Sequence, residues 1–289
     1  MPRRYEPHEL VGGFTKLSSL PEVYLKVRDA VESPDSSVEE VGKLLMNDAA
    51  MTARLLKVVN SPLYGQSRKV ETVSRAINVM GMQQVHDIVL ASSVTNTFSG
   101  MPVGLMDVRR HWTYSLACAL AGRAMGKRAG LVDSERLFVV GLLSRIGHMV
   151  IYERIPQLAA VALSHAQRTG QPLHLVERQL IGCDYAAVGG ELLGLWQLPH
   201  SIVEMVTHHV EPAEVSTGAI GAALVNLASH IAECYAAGSG MRLDTQALNP
   251  YLWEATGLAP EGALEVEQQT HGEFATAAEV FMPSLAQVA

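Results

Sequence analysis

Several polar residues occupy helical positions at which the surrounding apolar repeat predicts a buried face. The central pair is Ser144 and Arg145, within the apolar stretch GLLSRIGHMVIYE over residues 141–153. A guanidinium is always charged and only donates hydrogen bonds, so a buried Arg145 needs an acidic partner, such as Glu177, or an anionic ligand. The pair therefore predicts either a structural polar cluster or a pocket for phosphate, a nucleotide or a carboxylate. The other members of this set are His111, Tyr185, His208, His209 and Asn226.

The adjacent residues His208 and His209 could contribute to a metal site. Neighbouring helical residues point about 100° apart, so only one of the two can face a given site. A single inward histidine is more often a core residue, and we interpret the others in that way: His86, His148, His165, His174, His200 and His230. The three cysteines are far apart in apolar contexts, which favours a reducing compartment.

A second candidate site is the turn Asn60, Ser61, Pro62, Leu63, Tyr64 and Gly65. Between residues 49 and 78 there are five basic residues and a single acid, Glu71; the bases are Arg54, Lys57, Arg68, Lys69 and Arg75. Two short helices followed by a turn could form a helix-turn-helix, so DNA binding through residues 49–78 is an alternative. The simpler interpretation is the solvated face of a helical bundle, with Leu63 and Tyr64 docking the turn on the core.

The elements that would position these residues are helices, because apolar residues recur at three- and four-residue spacing and strand alternation is absent. Ser37 with Glu40 forms a capping box, and Asp48 can cap the following helix. The predicted helices lie near residues 21–32, 37–46, 48–60, 72–80, 81–98, 107–129, 134–154, 156–169, 172–181, 184–197, 200–210 and 216–237. We expect an all-α fold in two packed helical parts.

Glycine-rich stretches at residues 99–104 and 238–240 predict internal boundaries. They separate an N-terminal helical subdomain (14–98), a second helical subdomain (105–237) and an acidic C-terminal segment with short helices (241–289). That segment has seven acids and one arginine, and it accounts for most of the net charge of −7. The nearly neutral remainder disfavours nucleic acid as a partner. With no signal peptide and no long apolar run, we expect a cytoplasmic protein that does not enter a membrane.

Two longer stretches carry a family resemblance. LPEVYLKVRDAVESPDSSVEEVGKLLMNDAAMTARLLKVVNSPLYG, followed by VETVSRAINVMGMQQVHDIVLASS, is similar to the bacterial HDOD family. GLLSRIG, ERQLIGCDYAAVGGELLGLWQLP and THHVE resemble the HD superfamily of metal-dependent phosphohydrolases, of which HDOD modules are regulatory relatives. The resemblance covers roughly residues 14–212, with Asn226 just beyond. It implies that the second subdomain is a degenerate HD-like helical core.

The resemblance also implies what the inward polar residues replace. His111 matches the first metal-ligand position, whereas Ser144 and Arg145 stand where the family has the His-Asp doublet. Tyr185 replaces a histidine, His208 or His209 could retain one, and Asn226 replaces the final aspartate. A guanidinium in place of a carboxylate repels a cation, so we expect a vestigial pocket with no catalytic residue, no metal and no cofactor.

These observations predict a non-catalytic regulatory module in bacterial signal transduction that acts by protein–protein interaction. A small anion bound at Arg145 could modulate it. The partner, expected in trans, would be a signalling protein of the receiver, diguanylate cyclase or phosphodiesterase type, and homo-oligomerisation is left open. The enzyme alternative is a residual phosphohydrolase that uses His111, His208 or His209 and a borrowed acid such as Asp184.

Overall fold

The structure is a computed structural model that describes residues 3–12, 22–66, 68–98, 105–212, 219–238 and 241–282. These residues form α-helices and short 3-10 turns, with no strand among them, so the predicted all-α fold is confirmed. The helices fall into two compact units. The N-terminal unit holds the helices between Glu22 and Phe98 and the end of the last helix. The central unit holds the first helix, α1 (Pro7–Gly12), and the described residues between Leu105 and Gln269.

The N-terminal unit is built from short capped helices. Ser37, Asp48 and Thr72 each accept a hydrogen bond from the amide three residues further on, at 3.2, 2.9 and 3.2 Å, which fixes three of the helix starts. The helices are α2 (Glu22–Glu32), α3 (Val38–Met46), α4 (Ala49–Val59), α5 (Val73–Met80) and α6 (Met82–Phe98), with a 3-10 turn at Pro62–Tyr64. α2 packs on α3 and α6, α3 packs on α5, and α4 packs on α5 and α6.

The central unit surrounds one long buried helix, α7 (Val108–Arg128), which packs against α8 (Ser134–Leu143) and α14 (Ala219–Ala237). The remaining helices are α9 (Ile146–Arg154), α10 (Pro156–Thr169), α11 (Leu173–Leu180), α12 (Tyr185–Leu195), α13 (His200–His208), α15 (Pro250–Thr256) and α16 (Pro260–Phe281). α12 packs on α9 and α13, and α1 packs on α12. None of the described helices has the length and apolar character needed to cross a membrane.

The structure differs from the predicted elements in two places. The prediction of a single helix over residues 134–154 is wrong, because the helix is interrupted between α8 and α9 at Ser144 and Arg145. The C-terminal segment, expected to hold short helices, contains the 22-residue α16, whose residues are mostly good helix formers and which belongs to the N-terminal unit after Gln269. The predicted boundary at residues 99–104 lies outside the described residues.

Candidate functional site

The helix break at Ser144 results from a hydrogen bond of the serine with its own turn. Its hydroxyl donates to the carbonyl oxygen of Gly141 at 2.8 Å, and its amide lies 3.4 Å from the same oxygen. Serine hydroxyls compete with the helical backbone in this way, and here the helix ends. Ser144 is fully buried, and its hydroxyl also lies 3.9 Å from the sulfur of Cys118, so this side chain faces the core.

Two glycines allow the broken helix to pass very close to its neighbours. A Cβ atom on Gly141 would lie 2.6 Å from the carbonyl oxygen of Cys118 on α7. A Cβ atom on Gly147 would lie 2.0 Å from the carbonyl oxygen of Tyr185 on α12. Because both obstacles are backbone atoms, they cannot move aside as a side chain would. The position of residues 144–146 is therefore set by contacts between main chains.

The Arg145 side chain points away from the core and makes two contacts. Its guanidinium lies over the ring of Tyr114, 3.4 Å from the ring centroid, and it donates to a carboxylate oxygen of Glu233 at 2.7 Å. The prediction that Glu177 is the acidic partner of Arg145 is wrong. The Glu177 carboxylate accepts the amide of Tyr185 at 2.9 Å and faces Nε2 of His148 at 3.4 Å.

Arg145 lies in the wall of a cleft of about 940 Å³ in the central unit. This volume lies in the range of small-molecule sites, roughly 300–1,000 Å³. Four of the predicted pocket residues line it: His111, Arg145, Tyr185 and Asn226. The ring of His148 stacks on that of Tyr152, with centroids 5.2 Å apart, and is tilted by 33° against that of Tyr185, with centroids 4.0 Å apart. All three residues line the cleft. We call these three residues the aromatic wall.

Three predicted residues lie outside the cleft lining. Ser144 is in the core, as described above. His209 is buried behind Tyr185, with ring centroids 5.8 Å apart, and its Nδ1 lies 2.7 Å from the carbonyl oxygen of Val206. His208, the last residue of α13, is half-buried and does not line the cleft. Of the adjacent histidines, the structure places His209 inward.

The buried histidines around the cleft are neutral at physiological pH. Burial is the main cause, and it lowers the pKa of His111 to about 3 and that of His209 to about 4. Burial also holds the pKa of His148 well below its usual value, and the charge of Arg145 lowers all three. Burial has the opposite effect on the carboxyl of Glu177, whose pKa rises to about 8. At pH 7 the folded protein therefore holds Glu177 mainly in its protonated form.

The cleft residues do not fit a divalent metal. Asn226 donates its amide NH₂ to the carbonyl oxygen of His209 at 2.7 Å. Asp184, the acid that the enzyme alternative would borrow, accepts the amide of Ala187 at 2.8 Å and pairs with Arg178. Within the part of the chain that the structure describes, no three His, Cys, Asp or Glu side chains are grouped as metal ligands. A charged guanidinium in the wall of the cleft opposes a cation as well.

One face of α14 supplies the predicted residue Asn226 and three further cleft residues that sequence reasoning missed. Asn226, Ser229, His230 and Glu233 all line the cleft, and they follow the three- and four-residue spacing of a single helix face. His148 was missed as well, because it was interpreted as a core histidine, and Tyr114 was not among the predicted site residues. Glu233 follows Asn226 by two helical turns, and this spacing could have predicted that both residues face the cleft.

The turn in the N-terminal unit is held by Asn60. The side-chain oxygen of Asn60 accepts the amide of Val70 at 2.8 Å, and its NH₂ donates to the carbonyl oxygens of Val70 at 2.7 Å and Leu56 at 2.8 Å. The Ser61 hydroxyl donates to Val58 at 2.7 Å, and Gly65 ends the 3-10 turn at φ +56°. Leu63 and Tyr64 are half-buried and Pro62 is exposed. These contacts hold the turn of residues 60–65 in place.

Two of the five bases considered for DNA binding are engaged within the same unit. Arg54 donates to the carbonyl oxygen of Ser92 at 3.2 Å, and Lys57 donates to that of Glu279 at 2.7 Å. Arg68, Lys69 and Arg75 are exposed. A helix-turn-helix surface would need its cations directed at phosphates, and two of these five are directed at the protein's own backbone.

Comparison with known proteins agrees with this architecture. The family model described as the HDOD domain matches residues 17–212. A crystal structure of an HDOD domain protein of unknown function from Geobacter sulfurreducens is 20% identical with a TM-score of 0.75, and a candidate phosphohydrolase from Shewanella amazonensis is 23% identical with a TM-score of 0.72. In each case the match covers 96% of this chain and 97% of the other.

Two further matches involve longer chains. A candidate signal transduction protein from Marinobacter aquaeolei is 17% identical with a TM-score of 0.70, over 99% of this chain and 62% of that one. A protein of Treponema pallidum is 23% identical over 199 residues, which are 67% of this chain and only 37% of that protein's length. At these identities the solved structures establish the fold alone.

Proposed function

Because the chain belongs to the HDOD domain family, we propose that it is a regulatory module of signal transduction that acts by binding another protein and hydrolyses no phosphoester. The observation that carries this proposal is the guanidinium of Arg145 in the wall of the cleft. Against a divalent cation about 4 Å away, one positive charge would cost roughly 8 kcal/mol at an effective dielectric constant of 20.

The remaining cleft groups support a role without metal chemistry. His111 is neutral and could bind a metal by itself, but Asn226 carries no charge and Asp184 is engaged by Arg178. One histidine is too few for a tight site. The residual phosphohydrolase is therefore the weaker alternative, and DNA binding is weaker still because Arg54 and Lys57 contact backbone carbonyls.

Metal content per chain tests the proposal directly. The protein is purified without chelator from medium supplemented with manganese and iron. We expect less than about a tenth of an equivalent, because too few charged ligands remain. Arg145→Asp, which exchanges the cation for an anion in the same cleft, should raise the metal content. Near one or two equivalents in the unaltered protein, lost on His111→Ala, would refute the proposal and point to the phosphohydrolase.

The partner is proposed to act in trans, as a receiver, diguanylate cyclase or phosphodiesterase protein. Analytical ultracentrifugation of the metal-free chain with purified domains of these three kinds, encoded in the same genome, gives a direct readout. We expect one stoichiometric complex. Hydrolysis of a phosphodiester by the isolated chain, with no complex formed, would contradict this part of the proposal.

A further inference from the structure

The Arg145 guanidinium has room for a second anion to replace the first. Glu233 contacts it through one nitrogen at 2.7 Å, and the Glu233 side chain remains 53% exposed while that of Arg145 is 24% exposed. The Nε atom of Arg145 is buried and has no hydrogen-bond partner in the described part of the chain. A guanidinium offers five donors in a planar fork, and Glu233 satisfies only part of it.

The charges around the cleft balance without a ligand. Arg110 and Arg145 are its cationic lining residues, and Asp107 and Glu233 are its carboxylates. The histidines of the lining add no charge at pH 7, because burial lowers the pKa of His111, His148, His174 and His230. A ligand with a single negative charge can therefore replace the carboxylate of Glu233 on Arg145 one for one, while Glu233, whose side chain is 53% exposed, keeps its charge in contact with solvent.

The neighbouring surface is aromatic. The aromatic wall lines the same cleft as Arg145, and burial keeps both tyrosine hydroxyls protonated by raising their pKa values. Aromatic rings pair in offset-stacked and in edge-to-face arrangements, so this part of the lining suits a further ring. The cleft thus combines a carboxylate-binding guanidinium with a surface that suits an aromatic ring.

We propose that the cleft binds a small aromatic monocarboxylate, whose carboxylate replaces that of Glu233 on the guanidinium of Arg145. The ring of the ligand lies along the aromatic wall. Glu233 acts as an internal competitor and is released from Arg145 when the ligand binds. This inference rests on the proposed function, because a metal in the cleft would require a different ligand.

Isothermal titration of the purified full chain with benzoate and with indole-3-acetate tests the ligand class. We expect binding of at least one of them and none of benzamide, which has a similar ring and no charge. Adenosine 5′-monophosphate, a dianion with an aromatic base, should bind more weakly than the carboxylate. Equal binding of benzamide, or tighter binding of the nucleotide, would overturn the proposal.

Variants test the competition. Glu233→Gln should tighten carboxylate binding about two- to fivefold, because an exposed ion pair of modest strength no longer competes. Glu265→Gln is the matched control: Glu265 pairs with Arg128 at 2.6 Å with a similar exposure of 61%, and it does not line the cleft. The affinity of Glu265→Gln for the carboxylate should equal that of the unaltered protein. An unchanged affinity in Glu233→Gln would overturn the competition.

Two substitutions of Arg145 separate loss of binding from loss of folding. Arg145→Lys keeps the charge without the fork and should weaken binding about tenfold or more, and Arg145→Gln should abolish it. Circular dichroism and the unfolding midpoint show that each variant is folded, and full binding by folded Arg145→Gln would overturn the assignment. Metal content measured on the same samples separates the two proposals: a metal-free chain that binds no carboxylate contradicts only this inference.

Discussion

Two of the helix breaks in the described residues each contain a serine that bonds to its own turn, but they leave different side chains available. At Asn60 and Ser61, every polar side-chain atom bonds to a nearby backbone group, at distances of 2.7 to 2.8 Å. At Ser144 and Arg145, only the serine does so. The arginine reaches into a cleft of about 940 Å³ and keeps a buried donor without a partner in the described residues.

This difference distinguishes polar side chains that only stabilise a turn from polar side chains that can also bind a ligand. A polar residue whose hydrogen bonds are all made within its own turn has little left to offer a ligand. A polar residue that is buried at a cleft with unmet bonding capacity can still gain from one. We therefore expect substitutions in the Asn60 turn to change stability alone. Substitutions around the Ser144 break should change stability, the dependence of stability on pH, or ligand binding.

Gly147→Ala should have the largest effect. Its Cβ atom would lie 2.0 Å from the carbonyl oxygen of Tyr185, so α9 and α12 must separate, at a cost of about 3 kcal/mol or more in unfolding free energy. Gly194→Ala on α12 is the control, because no atom lies within 4 Å of its added Cβ; it should be neutral or stabilising by up to about 1 kcal/mol. Urea unfolding measures both. Equal stabilities would mean that main-chain contact does not hold the break.

Glu177→Gln should remove part of the pH dependence of stability. The pKa of Glu177 is raised to about 8 in the folded protein, so its contribution is complete below the ordinary carboxyl pKa and is lost as the pH rises through 8. Between pH 6 and 9 the unaltered protein should lose about 2 to 3 kcal/mol more than Glu177→Gln, which stays neutral and can still accept the Tyr185 amide. Parallel pH profiles of unfolding free energy would contradict the raised pKa.

Asn60→Ala should destabilise the protein by about 2 kcal/mol, since three hydrogen bonds that close the turn are lost. Asn78→Ala, at an exposed position on α5, should change stability by less than about 0.5 kcal/mol. Carboxylate binding in the cleft should be the same in both variants. Loss of carboxylate binding in Asn60→Ala would contradict the expectation that the Asn60 turn affects stability alone.

Most of the helices could be predicted because their start signals are local. Ser37, Asp48 and Thr72 each cap a helix within one turn, and the apolar spacing that follows is read directly from neighbouring residues. The break at Ser144 could not be found in this way, because both α8 and α9 are buried and the apolar pattern continues across the junction. A hydroxyl that ends a helix looks the same in sequence as one that merely packs.

The cleft was half predictable. The family resemblance located His111, Arg145, Tyr185 and Asn226, and all four line it. The partner of Arg145 was missed because Glu233 is 88 residues away along the chain, and only tertiary packing brings α14 to the α8–α9 junction. Which of His208 and His209 turns inward likewise depends on how α13 packs on α12.

The close main-chain approaches at Gly141 and Gly147 allow the side chains of this cleft to change in evolution independently of its backbone. Since those contacts do not involve the side chain of Arg145, this residue can be exchanged while the frame that carries it stays in place. A hydrolytic site and a ligand-binding site can then differ by a few amino-acid substitutions on the same backbone. For protein engineers, position 145 is accordingly the place to introduce a new binding specificity, and Ser144 and the two glycines are the residues to leave unchanged.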